Sequence, residues 1–254
     1  MTNLSEFLFL MIISTIANGF SAIAGGGAGL LQLPILLFLG LPFNVALSTH
    51  KIASVALGLG ASARYYRENN LEFYFALFVV AVGLPGVVLG ARFILQMDQQ
   101  LATLLLGLLT ISLGIYSCFK KTLGFVYAPK HRNKQGYLIG GVAIFFIGLI
   151  NGSLTSGTGL FLTVWLIYWF GLDYQRAVAT TMILVGIVWN ATGAVTLALL
   201  TEVKWSWLTP LIIGAFIGSY AGAHIAILKG NQLIKRLFEV ATIGVGVSLL
   251  MKVM

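Results

Sequence analysis

The chain has 254 residues, of which 59% are hydrophobic and 9% charged, with a formal net charge of +8. A soluble domain carries roughly 25% charged residues. There is too little charge here to cover a water-soluble globule, and disordered, collagen-like and nucleic-acid-binding classes are excluded with it. The mean hydropathy of +0.97 agrees, so the basic excess reads as cytoplasmic loops of a membrane protein.

Apolar runs fall at about 5–24, 27–39, 44–63, 71–95 and 99–119. A polar, basic stretch covers 120–135. Apolar runs resume at about 136–152, 158–170, 174–200, 205–228 and 233–251. A membrane helix needs roughly 20 apolar residues, so eight to ten segments use roughly 160 to 200 positions and leave no room for an extramembrane domain. The first run has no Lys or Arg ahead of it, only Glu6, and is read as a retained helix rather than a secretory signal. The runs 27–39 and 158–170 are too short for a straight span and suit half-helices or re-entrant segments. Cys118 is the only cysteine, which excludes an intramolecular disulfide and a cysteine metal site.

The two sets of runs have the same order of lengths, and short matches recur at an offset near 130. Gly27-Ala28-Gly29-Leu30 matches Gly157-Thr158-Gly159-Leu160, and Gly40-Leu41 matches Gly171-Leu172. Ala46-Leu47-Ser48-Thr49 matches Ala177-Val178-Ala179-Thr180, and Gly86-x-x-x-Gly90-Ala91 matches Gly218-x-x-x-Gly222-Ala223. The expected organisation is a first repeat over 1–119, a basic cytoplasmic linker over 120–135 and a second repeat over 136–254. Positive charge orients them. Lys120, Lys121, Lys130, Arg132 and Lys134 mark the inside, as do Arg64 and Arg67, and Lys229, Lys235 and Arg236. The loops near Asp98 and Glu202 then fall outside, as do both termini. The halves become inverted copies, an arrangement found in many secondary transporters. Five crossings per half, or three crossings and a re-entrant hairpin, serve equally.

Residues with chemistry concentrate at two breaks. Gly25-Gly26-Gly27-Ala28-Gly29 separates the first run from the short second one. Each glycine costs roughly 1 kcal/mol in a helix interior. Backbone freed inside a bilayer is tolerated only where it lines a cavity or is buried in protein. The matching break is Asn151-Gly152-Ser153-Leu154-Thr155-Ser156-Gly157-Thr158-Gly159. Each break opens a half-helix whose unpaired N–H groups can hold an anion; close helix packing through small residues is the other reading. That packing reading is preferred for Gly86/Gly90 and for Gly214/Gly218/Gly222.

Thr49-His50-Lys51 lies within the third run. Charged residues inside spans usually face a cavity, although a lysine can also snorkel to the interface. His50 suits either a proton acceptor or a neutral hydrogen-bond donor. Thr180-Thr181 stands at the matching place, and Asn18 and Asn190 are further polar positions within spans. The acids Glu6, Glu68, Glu72, Asp98, Asp173, Glu202 and Glu239 all fall in loops or near segment ends, so no carboxylate relay or cation site is expected. Trp165, Trp169, Trp205 and Trp207 read as interfacial anchors.

These residues resemble the sulfite exporter TauE/SafE family of membrane transporters. The resemblance rests on the glycine cluster Gly25 to Gly29, Pro34, the Gly40-Leu41-Pro42 turn and Ala46-x-Ser48-Thr49. It recurs in Gly157-x-Gly159, Gly171 and Ala177-x-Ala179-Thr180-Thr181, and it covers essentially the whole chain. Many members carry Thr-Asn-Lys where this chain has Thr49-His50-Lys51. The resemblance implies transport of small sulfur-containing anions such as sulfite or organosulfonates.

The expected fold is an all-α polytopic membrane protein of two inverted repeats, each of four to five helical segments with broken or re-entrant half-helices. The expected function is a secondary transporter of the inner cell membrane working by alternating access, with an anion channel of the same fold as the alternative. The expected substrate-binding residues are Gly26, Gly27, Gly29, Thr49, His50, Lys51, Ser156, Gly157, Thr158, Gly159, Thr180 and Thr181. No cofactor, metal, catalytic group or nucleic acid is expected. The expected partners are a small anionic substrate and membrane lipid, with homodimerisation left open.

Overall fold

The computed structural model describes residues 3–65, 72–94, 124–154 and 157–253, with scattered positions between 100 and 119. The helices are α1 (Leu4–Ala24), α2 (Ala28–Phe38), α3 (Phe43–Tyr65), α4 (Phe73–Phe93), α5 (Lys134–Ser153), α6 (Thr158–Tyr168), α7 (Tyr174–Leu200) and α8 (Trp205–Val253). Among the described residues, α1, α4, α5, α7 and Trp205–Leu237 of α8 are long and apolar enough to cross a membrane. The protein is an all-α polytopic membrane protein. The run 99–119 lies largely outside the described residues.

Local signals set the helix ends. Asn133 caps α5 by accepting from Gly136 N at 2.8 Å, and Asp173 caps α7 by accepting from Arg176 N at 2.8 Å. The first break has φ of 91°, 145° and 99° at Gly25, Gly26 and Gly27, and Gly157 opens α6 with φ 77°. These are left-handed values that side chains resist. The runs 205–228 and 233–251 are two helical stretches of α8 separated by a kink at Gly230, where φ is 72° and ψ −171°, outside the helical region. A six-residue π-helical stretch, Leu184–Trp189, lies inside α7.

The short helices α2 and α6 have 11 residues each, roughly 16 Å. Both fold back along the helix before them. Gln32 of α2 meets Ser14 and Asn18 of α1. Trp165 and Trp169 of α6 donate their indole N–H groups to the carbonyls of Gly140 and Gly136 of α5, at 3.3 and 3.0 Å. Those two tryptophans therefore tie a hairpin together, beyond the interfacial role expected of them. Trp205 is 68% exposed, whereas Trp207 is buried.

The small-residue stripes are packing surfaces. A Cβ added at Gly86 or Gly90 of α4 would strike backbone of α5 at Phe145 and Leu149, and one at Gly152 would strike Val87. A Cβ at Gly214, Gly218 or Gly222 of α8 would strike α1 at Met11, Thr15 and Gly19. Backbones this close gain dispersion contact that larger residues would prevent. Helices α3 and α7 cross at Gly58 and Gly186, where backbone again meets backbone.

Charge separates the two ends of the bundle. Tyr127 and Arg132 meet Glu72, Arg176 lies over the Tyr127 ring at 3.9 Å, and Gln175 N donates to Asn231 Oδ1. Arg64 Nε donates to His224 Nδ1 at 3.0 Å. This end therefore collects Arg64, Lys130, Arg132, Lys134, Arg176, Lys229, Lys235 and Arg236. The opposite end joins the start of α3 to the 201–204 loop: Ser48 Oγ donates to Glu202 O, and Lys204 N donates to Thr49 Oγ1.

Candidate functional site

The two breaks meet inside the bundle, each at the tip of its hairpin. A Cβ built on Gly26 would lie 2.6 Å from Leu160 N, and one on Gly159 would lie 2.9 Å from Gly26 Cα. Thr163 Oγ1 donates to Gly25 O at 2.9 Å, joining α6 to the first break. Beside this junction is a small hollow of ≈ 30 Å³, room for a water or a small ion. Gly26, Gly27, Ala28 and Gly29 line one side, and Thr158 and Gly159 another. His50, Ser54, Asn151 and Asn190 supply the polar side chains.

The first turns of both half-helices border this hollow. Neither α2 nor α6 has a side-chain cap on its first turn. The leading N–H groups of a helix have no intrahelical partner, and the positive end of the helix dipole lies there. Such an end stabilises negative charge.

Lys51 stands directly behind the polar wall. It is fully buried, and its Nζ donates to Asn151 Oδ1 at 2.8 Å and Asn190 Oδ1 at 3.1 Å. Asn151 Nδ2 in turn donates to Thr158 Oγ1 at 2.8 Å. One lysine thus orders the end of α5, the start of α6 and the middle of α7. Among the described residues, no carboxylate lines the hollow.

A second polar chain runs from the hollow along α2. Ser54 Oγ lies 3.1 Å from His50 Nε2, His50 Nδ1 lies 3.1 Å from Gln32 Oε1, and Gln32 meets Ser14 and Asn18. All five side chains are buried. A buried polar chain of this kind holds its members in fixed orientations.

Of the residues expected from sequence, Gly26, Gly27, Gly29, His50, Thr158 and Gly159 line the hollow. Gly157 caps α6 beside it. Lys51 acts one layer behind, through the two asparagines. Thr49 is turned toward the 201–204 loop, where its hydroxyl accepts from Lys204 N at 2.9 Å. The Thr181 and Thr163 hydroxyls are 3.0 Å apart, and Thr180 is buried in α7 without lining the hollow. Ser156 lies outside the described residues. Gln32 and Ser54 were not expected. A glutamine inside a short apolar run, and a serine one helical turn after His50, were the available signals. Asn151 was visible in the second break, but its bond to Lys51 spans 100 residues and has no local signature.

Comparison with known proteins agrees with this architecture. The model of the sulfite exporter TauE/SafE family matches residues 10–249. A probable membrane transporter protein of Haemophilus influenzae is 26% identical over 89% of this chain and 87% of its own length. A probable membrane transporter protein of Sinorhizobium is 26% identical over 95% of this chain and 91% of its own length. The probable membrane transporter protein YunE of Bacillus subtilis is 22% identical over 96% of this chain and 97% of its own length.

Proposed function

Given that the chain belongs to the sulfite exporter TauE/SafE family, we propose that it is a secondary transporter for a small sulfur-containing anion, sulfite or an organosulfonate. The observation that carries this reading is the meeting of two broken hairpins at a buried hollow lined by half-helix N-termini, with a lysine behind it and no carboxylate among the described lining residues. Backbone N–H groups of Gly27 to Gly29 and of Gly159 replace the anion's hydration, as donors do at other helix N-termini. Lys51 holds Asn151 and Asn190 in place and supplies a positive field. It does no chemistry on the cargo.

The two halves, 1–119 and 136–254, act as inverted repeats that rock about the hollow and open it to either side in turn. The reciprocal packing supports this: the first helix of each half lies against the fourth segment of the other, along matched glycine stripes. The basic end faces the cytoplasm of the inner membrane. The driving force is a gradient.

The test is flux of labelled sulfite and of a labelled sulfonate in proteoliposomes. We expect saturable uptake with counterflow, reduced at least about tenfold in Lys51→Ala, a loss of roughly 1.4 kcal/mol of transition-state binding. Flux that never saturates and shows no counterflow would make the protein a channel. Flux unchanged in Lys51→Ala removes the lysine from the mechanism.

A further inference from the structure

On the reading that the hollow holds an anion, we infer that His50 takes up a proton at Nε2 together with that anion, and that the two cross the membrane as a pair. The argument is an accounting of hydrogens along one buried chain. It begins at the Leu211 carbonyl, which can only accept. Ser14 Oγ lies 2.6 Å from that oxygen and gives its one proton there. Ser14 Oγ is then an acceptor for Asn18 Nδ2 at 3.1 Å and Gln32 Nε2 at 3.4 Å. This fixes the Gln32 amide with Oε1 facing His50 Nδ1 at 3.1 Å. A carbonyl oxygen at that place requires a hydrogen on Nδ1. The variable proton of the ring is therefore the one on Nε2.

Ser54 stands at that nitrogen. Its Oγ is 3.1 Å from Nε2 and 2.8 Å from the His50 carbonyl oxygen. With its single proton turned to Nε2, the ring is neutral. With that proton turned to the carbonyl, Ser54 Oγ accepts from Nε2–H and the ring is a cation. Both arrangements are hydrogen-bonded without moving a heavy atom. His50 and Ser54 also line the hollow, so the proton binds where the cargo sits.

Neighbouring charge decides when it binds. Lys51 follows His50 in α3 and is the titratable group beside it. The groups facing the site from the other elements are neutral: Asn18 and Ser21 of α1, Gln32 of α2, Asn151 of α5, Thr158 of α6, and Met182 and Asn190 of α7. Among the described residues, α8 contributes the Leu211 carbonyl to the chain. A cation formed on His50 at this buried position is unfavourable alone and becomes favourable when an anion lies against it. Proton and anion therefore raise each other's affinity by the same factor.

The test uses the whole protein in proteoliposomes containing a pH-sensitive dye, with the membrane potential clamped by potassium and valinomycin. The probe is labelled methanesulfonate, whose charge is constant over the working range. Wild type should acidify the interior by about one proton per anion, and an acid-outside gradient of one pH unit should drive about tenfold accumulation. If sulfite alone is carried, the count is made with sulfite at a pH where it is fully ionised. In His50→Gln the proton count per anion should fall to zero at whatever rate the variant transports. A second readout needs no variant: adding the carried anion to detergent-solubilised wild type in weak buffer should take up about one proton per bound anion. Wild-type flux without protons overturns the inference and leaves the transporter reading intact, as does His50→Gln still moving one proton per anion. Absence of flux for both probes overturns the transporter reading and this inference with it.

Discussion

Gly26 and Gly40 both have positive φ but different surroundings. Both have left-handed φ, 145° and 92°. A Cβ on Gly26 would sit 2.6 Å from Leu160 N, whereas nothing among the described residues lies within 4 Å of one on Gly40. Gly40→Ala therefore carries backbone strain alone, about 1–2 kcal/mol. Gly26→Ala adds a clash between the hairpin tips and should exceed about 3 kcal/mol. Thermal unfolding in detergent should rank Gly26→Ala well below Gly40→Ala and wild type, and anion flux should fall only in the former. Equal melting temperatures would mean that the tips do not press on one another. At this scale the sequence marked the unusual positions well. It could not say which glycine was tight against another element, because that depends on atoms more than 100 residues away.

The helices associate through small residues, so their contacts should fail when bulk is added at matched places. Gly90→Leu would drive a side chain into Leu149 backbone of α5, and Gly218→Leu would drive one into Thr15 of α1. Each should lower the melting temperature by several degrees and reduce folded yield, since overpacking costs typically 1–3 kcal/mol. Gly244→Leu is the control, because nothing among the described residues lies within 4 Å of its added Cβ. If all three variants melt alike, close approach is not what holds these helices. The periodic glycines made the stripes legible. The partners were not, since a small-xxx-small stripe names no mate. The helix α3 shows the converse limit. Its buried residues include Ser48, Thr49, His50, Lys51 and Ser54, so hydropathy alone understates a helix that lies at the centre of the molecule.

The whole molecule is a bundle with a basic end, and its orientation can be tested directly. With Cys118 changed to Ser, a membrane-impermeant maleimide should label Glu202→Cys in intact cells. It should label Lys130→Cys only after permeabilisation. The reverse pattern would turn the protein over and break the positive-inside assignment. Composition and periodicity by themselves determined the all-helical membrane class, the two interrupted segments, the matched glycine stripes and the sites of both breaks. These follow from local causes: length of apolar run, backbone freedom of glycine and the cost of charge in hydrocarbon. Only the tertiary structure decided that the breaks touch, that Lys51 is held by Asn151 and Asn190 instead of reaching an interface, and that Gln32 and Ser54 bracket His50. Those facts depend on how two hairpins and a crossing pair of helices bring distant side chains to one point. A linear pattern carries no term for that distance.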